Sequence, residues 1–182
     1  MLLKRLFDIV FSLIGLLVLS PVLLVMALLA AWDTKSNGFF VQQRVGQHGK
    51  LFKIIKLRSL DSKTQSISAF GRFLRKSKID ELPQLYNVLL GEMSFVGPRP
   101  DVAGYYDLLT GENRKILELK PGLTSEASLK YYNEDALLEQ QKDPLRYNDT
   151  ILFPDKVRMN LDYYYNRSFL GDLKILCKTV FK

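Results

Sequence analysis

The chain has 182 residues, 47% of them hydrophobic, with 26 Lys/Arg against 19 Asp/Glu and a formal net charge of +7. That length accommodates one membrane segment plus one compact domain of about 150 residues, and excludes a large multidomain enzyme. A single cysteine, Cys177, excludes an intramolecular disulfide, and a single histidine, His48, disfavours a catalytic triad, a histidine general base and a His-rich zinc site.

The charge is unevenly placed. Residues 1–100 hold 14 Lys/Arg and 6 Asp/Glu, whereas residues 101–182 hold 12 and 13. Between residues 35 and 78 there are 11 basic residues and one acid, Asp61. Directly after an apolar segment, such a block reads as a surface facing anionic headgroups or phosphates. A nucleic-acid surface would leave the apolar segment unexplained, so no nucleic acid is expected as a partner.

In chain order, that apolar segment comes first. Ile9 to Trp32 is an uncharged run of 24 residues, roughly 36 Å long as a straight helix and enough to cross a bilayer. It far exceeds the apolar core of a signal peptide. Ser20-Pro21 stands near its middle, where proline removes one backbone hydrogen bond and favours a kink. Lys4 and Arg5 precede the run, while Lys35, Arg44, Lys50, Lys53 and Lys56 follow it. Cationic flanks belong on the cytoplasmic side. A kinked spanning helix and a re-entrant helix–break–helix over residues 1–34 both remain open, and the charge bias leans to the second. Residues 35–182 then form a membrane-associated domain at the cytoplasmic face.

Phe39–Arg44 and Leu51–Leu57 are short runs flanking a Gly46-Gln47-His48-Gly49 turn and read as a β-hairpin. Phe70, Phe73 and Leu74 give the next segment an apolar face opposite Arg72, Arg75 and Lys76. A helix is expected over Leu82–Leu90, with Asp80 and Glu81 at its N-terminal end and Pro83 in its first turn. Gly97-Pro98-Arg99-Pro100 must be an extended, rigid loop. Further helices are expected at Tyr105–Leu119, Glu134–Gln141 and Pro154–Asn166, with Lys120-Pro121-Gly122 as a break. In the tail, Lys174, Lys178 and Lys182 share one helical face beside Phe169, Leu173, Leu176, Val180 and Phe181. An amphipathic helix in the membrane interface and an ordinary helix packed on the core both fit it. The fold class is mainly α with a small β-hairpin.

With no histidine base, the fitting chemistry needs little proton transfer. A carboxylate can attack phosphorus directly, and a phosphate monoester can then attack the acyl phosphate. The protein's task is then positioning and charge neutralisation by Arg, Lys and a divalent ion. Asp80 and Glu81 are neighbours whose side chains diverge by roughly 100° on a regular helix, so they can take two roles at one site. A helix N-terminus favours acids in any case. Their setting is more specific: Arg75 and Lys78 precede, Gln84 lies one turn on, Arg99 stands between prolines, and Lys56 and Arg58 end the second strand.

The stretch from Arg72-Phe73-Leu74-Arg75 through Asp80-Glu81-Leu82-Pro83-Gln84 to Gly91-Glu92-Met93-Ser94-Phe95-Val96-Gly97-Pro98-Arg99-Pro100 closely resembles the bacterial sugar transferases. These are small monotopic phosphoglycosyl transferases that begin glycan assembly on polyprenol phosphate. The likeness extends to Gln43-Arg44-Val45-Gly46, Lys56-Leu57-Arg58-Ser59-Leu60, Ser20-Pro21, Lys120-Pro121-Gly122-Leu123-Thr124 and the ending around Asn166-Arg167-Ser168-Phe169.

The resemblance implies a re-entrant helix broken at Ser20-Pro21, in the bacterial inner membrane, with the catalytic domain on the cytoplasmic face. It implies Asp80 as nucleophile on the β-phosphate of a UDP-sugar, with release of UMP and transfer of the phosphosugar to undecaprenyl phosphate. Glu81 would support Asp80, the pair would hold Mg²⁺, and Lys56, Arg58, Arg75, Gln84 and Arg99 would bind phosphates or fix the acids. A homodimer is compatible with this picture. Two stretches depart from the family pattern. Thr64–Phe70 replaces an Asp-Pro-Arg run, and Leu123-Thr124-Ser125-Glu126-Ala127-Ser128 replaces a Thr-Gly-Trp or Thr-Gly-Leu loop. The second leaves the sugar and the glycan pathway (capsule, O-antigen, exopolysaccharide or glycoprotein) open. The alternatives are a non-catalytic membrane-anchored scaffold and a basic anionic-lipid-binding protein.

Overall fold

The computed structural model describes residues 2–181, so the expected third lysine of the tail, Lys182, lies outside the described residues. The chain is mainly helical and divides into two compact units. The first comprises residues 1–44 and 51–92, the second residues 45–50 and 93–182.

The first unit begins with helix α1 (Leu2–Thr34). Its leucines and alanines are strong helix formers, and the helix continues through Ser20-Pro21 instead of dividing there. The reason is local. Pro21 has no N–H to offer the carbonyl of Leu17, and the Ser20 hydroxyl donates to that same carbonyl at 2.8 Å. Only 11% of the most apolar window of α1 is buried within the protein. Leu17, Val18, Leu24, Leu28 and Trp32 are each more than half exposed, unlike the residues of a soluble protein's core helix.

Both ends of α1 are nonetheless tied to the same unit. Near its start, Arg5 donates to the carbonyls of Val88 and Leu89 at 2.7 and 2.8 Å, which are end carbonyls of helix α3 (Leu85–Leu90). Near its end, Ala27 and Ala30 pack with Leu57 and Leu74 in a buried cluster. The Ser68 hydroxyl donates to Asp33 at 2.6 Å. Ser68 also caps helix α2 (Ala69–Lys76) by accepting from the Gly71 N–H.

The hairpin forms as expected, with strands β1 (Phe39–Val45) and β2 (Leu51–Leu57) paired in a two-stranded sheet. Its root sits hard against α1. Gly38 has φ +52, and a Cβ there would lie 2.2 Å from the Ala27 carbonyl oxygen. The expected helix over Leu82–Leu90 takes a different form. Residues Ile79–Gln84 make a 3-10 helix led by Lys78 in the left-handed region, and α3 proper starts at Leu85. Pro83 has no donor with which to carry an α-type ladder back to Ile79, so regular α geometry begins only beyond it.

The second unit carries a parallel pair of three-residue strands, β3 (Ser94–Val96) and β4 (Gly122–Thr124), paired Ser94 with Gly122 and Val96 with Thr124. Short helices α4 (Glu126–Lys130), α5 (Glu134–Glu139) and α6 (Pro144–Tyr147) follow, then α7 (Phe153–Asn166) and α8 (Phe169–Val180). Its core joins Val45, Tyr106, Ile116, Leu117 and Val157. The expected helix over Tyr105–Leu119 is replaced by two 3-10 stretches, Tyr106–Leu108 and Gly111–Glu118. Extended Leu109 and Thr110 separate them. Helix α8 buries Asp172 and Ile175 and bonds Thr179 to Thr124, while Leu170 and Val180 stay exposed.

Gly38→Ala tests the close approach of hairpin to α1. It adds left-handed strain and a clash with backbone, so the detergent-solubilised protein should lose about 2 kcal/mol or more of unfolding free energy. Denaturant unfolding at fixed detergent concentration measures it.

Candidate active site

The first unit places four sequence elements around one acid pair. Asp80 and Glu81 lie on the 3-10 helix Ile79–Gln84, where successive side chains diverge by about 120° rather than the α-helical value. The two carboxylates therefore face different surroundings. Asp80 is only 7% exposed, and its Oδ1 is buried without a hydrogen-bond partner among the described residues. Glu81 receives the Lys56 ammonium at 2.8 Å, both side chains being largely buried.

Burial is the main reason that the Asp80 carboxyl is pushed up to about 6, with the negative charge of Glu81 adding to it. Lys56, Lys78 and Arg75 act in the opposite direction. These three cations keep the acid within reach of ionisation near neutral pH.

Each cation is supplied by its own element. Lys56 stands in β2, and Lys78 opens the 3-10 helix. Arg75 stands in the last turn of α2 and donates through Nε to the Ser59 hydroxyl at 2.9 Å. That contact requires α2 to lie close to the end of β2. Gly71 permits it, because a Cβ there would fall 2.2 Å from the Ser59 carbonyl oxygen. Arg58 lies over the Phe40 ring at 5.8 Å, and its Nε is a second buried atom without a hydrogen-bond partner among the described residues. Gln84 is buried at the end of the 3-10 helix.

Of the residues singled out in the sequence, the first unit thus brings together Asp80, Glu81, Lys56 and Arg75 in one electrostatic group. Arg58 and Gln84 belong to the same unit. Arg99 belongs to the second unit, where it is exposed between Pro98 and Pro100. Ser20 and Pro21 lie within α1. For Mg²⁺, the described residues contain no cluster of three or more His, Cys, Asp or Glu side chains. Two carboxylates with one unpartnered oxygen nonetheless fit an ion that keeps several waters and shares substrate phosphates.

Asn87 was not singled out in the sequence, yet it holds the group together. It is 1% exposed, and its Nδ2 donates to the Lys53 carbonyl and to Glu92, both at 2.7 Å. Its Oδ1 accepts from the Ile55 N–H at 3.4 Å. The amide thereby joins α3, just after the acid pair, to the strand that carries Lys56. An asparagine inside Leu85-Tyr86-Asn87-Val88-Leu89-Leu90 was the available signal, because a polar side chain buried among apolar ones must be hydrogen-bonded. Ser59 carried no comparable mark.

The sequence profile of the family described as Bacterial sugar transferase matches residues 1–182. The chain belongs to the bacterial sugar transferase family. It is 36% identical over 192 residues to the uncharacterized sugar transferase EpsL of Bacillus subtilis, covering all of this chain and 87% of that protein. It is 35% identical to the exopolysaccharide production protein PSS of Rhizobium leguminosarum, covering 98% of this chain and 93% of the relative. A third relative is the UDP-glucose:undecaprenyl-phosphate glucose-1-phosphate transferase of Klebsiella pneumoniae, 35% identical over 199 residues. All of this chain aligns there, but it spans only 40% of that longer transferase.

The raised carboxyl of Asp80 has a consequence for stability that does not involve turnover. A carboxyl whose folded-state pKa is raised binds its proton more tightly when folded, so folding is favoured below the unfolded value and weakened as pH rises through about 6. Asp80→Asn should therefore match the parent near pH 4. At pH 7.5 it should exceed the parent by on the order of 2 kcal/mol. Unfolding midpoints across that range check it, and a constant difference would remove the burial argument.

Proposed function

We propose that this member of the bacterial sugar transferase family moves a sugar 1-phosphate from a UDP-sugar to undecaprenyl phosphate through a covalent Asp80 intermediate. The carrying observation is the buried Asp80 carboxylate, with a free oxygen, flanked by Lys56, Lys78 and Arg75. A surface that merely docked phosphate or anionic lipid would gain nothing from a buried acid, since it would repel the ligand.

In the first half-reaction an Asp80 oxygen attacks the β-phosphorus of the UDP-sugar, the bond to the bridging oxygen breaks, and UMP leaves with that electron pair. In the second, a phosphate oxygen of undecaprenyl phosphate attacks the same phosphorus and returns Asp80 as a carboxylate. Both nucleophiles are anions, so neither step needs a histidine base. Lys56 holds Glu81 in place, while Arg75, braced by Ser59, presents its remaining donors to phosphate. Mg²⁺ held by Asp80 and Glu81 would supply charge neutralisation on the diphosphate. Asp80 must be ionised to attack, so activity should fall as pH drops below about 6.

Two anchor points of α1 support a topology with both of its ends on one side of the membrane. Arg5 near one end donates to α3 and Asp33 near the other accepts from Ser68, and a path that crossed the bilayer would put these two partners, both in the unit that carries Asp80, on opposite faces. A re-entrant path keeps both ends at the cytoplasmic face of the inner membrane. It also keeps Asp80 at the level of the acceptor's phosphate.

Release of UMP from a panel of UDP-sugars in the presence of undecaprenyl phosphate tests the reaction. Asp80→Asn should lower it by several orders of magnitude and abolish labelling of the protein by a sugar-radiolabelled donor. Near-normal turnover in this variant would refute the nucleophile assignment. Excess chelator should stop UMP release and added Mg²⁺ should restore it, whereas full activity in chelator would remove the metal from the reaction. For topology, Leu2→Cys and Lys35→Cys are placed separately in a Cys177→Ser background. Both should be shielded from an impermeant thiol reagent in sealed, right-side-out cells. Labelling at position 2 alone would establish a spanning helix.

A further inference from the structure

We propose that the first strand of the catalytic unit is itself a membrane-contacting element. Phe39, Phe40 and Val41 would lie at the headgroup–acyl boundary and extend the lipid-facing surface of α1 to Arg58. This inference rests on the membrane-enzyme reading above and adds a second element to the bilayer contact.

Successive strand residues point to opposite faces, so Phe39 and Val41 share one face of β1 and Phe40 takes the other. All three are exposed, at 43%, 37% and 51%. A strand packed on a protein core shows one covered face. At the start of β1, residues of both faces remain exposed, and contiguous exposed apolar side chains mark a contact surface. The apolar character is confined to the root of the hairpin, because β1 continues as Gln42, Gln43 and Arg44.

That root is where α1 ends. The Gly38 backbone lies so close to α1 that a Cβ would meet the Ala27 carbonyl oxygen at 2.2 Å. Leu28 and Trp32 follow Ala27 and Ala31, the α1 residues that meet Gly38, and are 64% and 83% exposed. The strand therefore prolongs an apolar surface that itself lacks a protein partner. Charge completes the pattern. The Arg58 N–H donates to the Gly38 carbonyl at 2.8 Å, and its guanidinium lies over Phe40 at 5.8 Å. Lys35 is exposed between α1 and β1. Aromatic rings with cations at their edge suit the interface of an anionic leaflet. A second copy of the chain fits less well, since it would set two such basic rims against each other. Lipid contact at Phe40 would bring headgroup phosphates directly to Arg58.

Site-directed spin labelling of the full chain in phosphatidylethanolamine–phosphatidylglycerol vesicles tests this. Labels are placed in a Cys177→Ser background through Val41→Cys, with Leu28→Cys as the α1 control and Glu139→Cys as the aqueous control. Phe39→Cys, on the same strand face, repeats the measurement if the Val41 variant folds poorly. The expected result is that oxygen relaxes the Val41 label more than a nickel chelate does, as at Leu28, with the order reversed at Glu139. If Val41 behaves like Glu139 while Leu28 remains lipid-like, the strand is not in the membrane and the inference is overturned. If Leu28 is also water-like, the underlying membrane reading fails instead. Low collision rates with both reagents, or dipolar broadening between Val41 labels, would assign the strand to a contact between copies and equally overturn the inference.

Discussion

Adjacent carboxylates repel, and withdrawing one of them from water compounds the cost of ionising it. Asp80 is buried beside Glu81, so the cations around the pair decide whether the site can exist as an anion. Lys56 must approach from β2, Arg75 from α2 and Lys78 from the turn itself. The remaining elements of the first unit serve to bring three separate segments to one place. Asn87 and Ser59 perform that task with side-chain hydrogen bonds that touch neither carboxylate. A site built in this way tolerates little slack, because displacement of any one cation raises the carboxyl further.

The membrane segment is part of this construction. Helix α1 supplies Ala27 and Ala30 to the cluster that seats Leu57 and Leu74, and these lie in the strand and helix that carry Lys56 and Arg75. At its other end it caps α3 through Arg5. Removing α1 would expose apolar surface and also strip a packing face from the elements that surround the acid pair. The long apolar helix and the acid pair therefore share one framework.

Much of this was legible in the chain, and the limits have physical causes. The hairpin followed from alternating short runs around Gly46 and Gly49, and α7, expected at Pro154–Asn166, is found at Phe153–Asn166. Asp80, Glu81, Lys56 and Arg75 were legible because four charged residues flank one motif. The 3-10 form of Ile79–Gln84 was not, since apolar spacing does not separate it from an α-helical turn over so few residues. The paired strands Ser94–Val96 and Gly122–Thr124 are too short to show alternation, and their partnership is set by chain segments far apart in sequence. Asn87 was hidden for a related reason. Its partners Lys53 and Ile55 lie more than thirty positions away, and nothing local announces them. Ser20-Pro21 was legible as a backbone fault that the serine hydroxyl could relieve, but not that the helix continues through it.

The Arg5 clamp also bears on the order in which the protein is made. The acceptors of Arg5, Val88 and Leu89, leave the ribosome 83 and 84 residues after it. Domains assemble as the chain elongates, so α1 is made before the hairpin and α2 that it packs against. Closing so long a loop is slow compared with forming a local helix turn. The clamp closes only once the Asp80-Glu81 turn and α3 exist. The start of α1 thus stays without its hydrogen-bonding partner until the Asp80-Glu81 turn and α3 arrive to meet it.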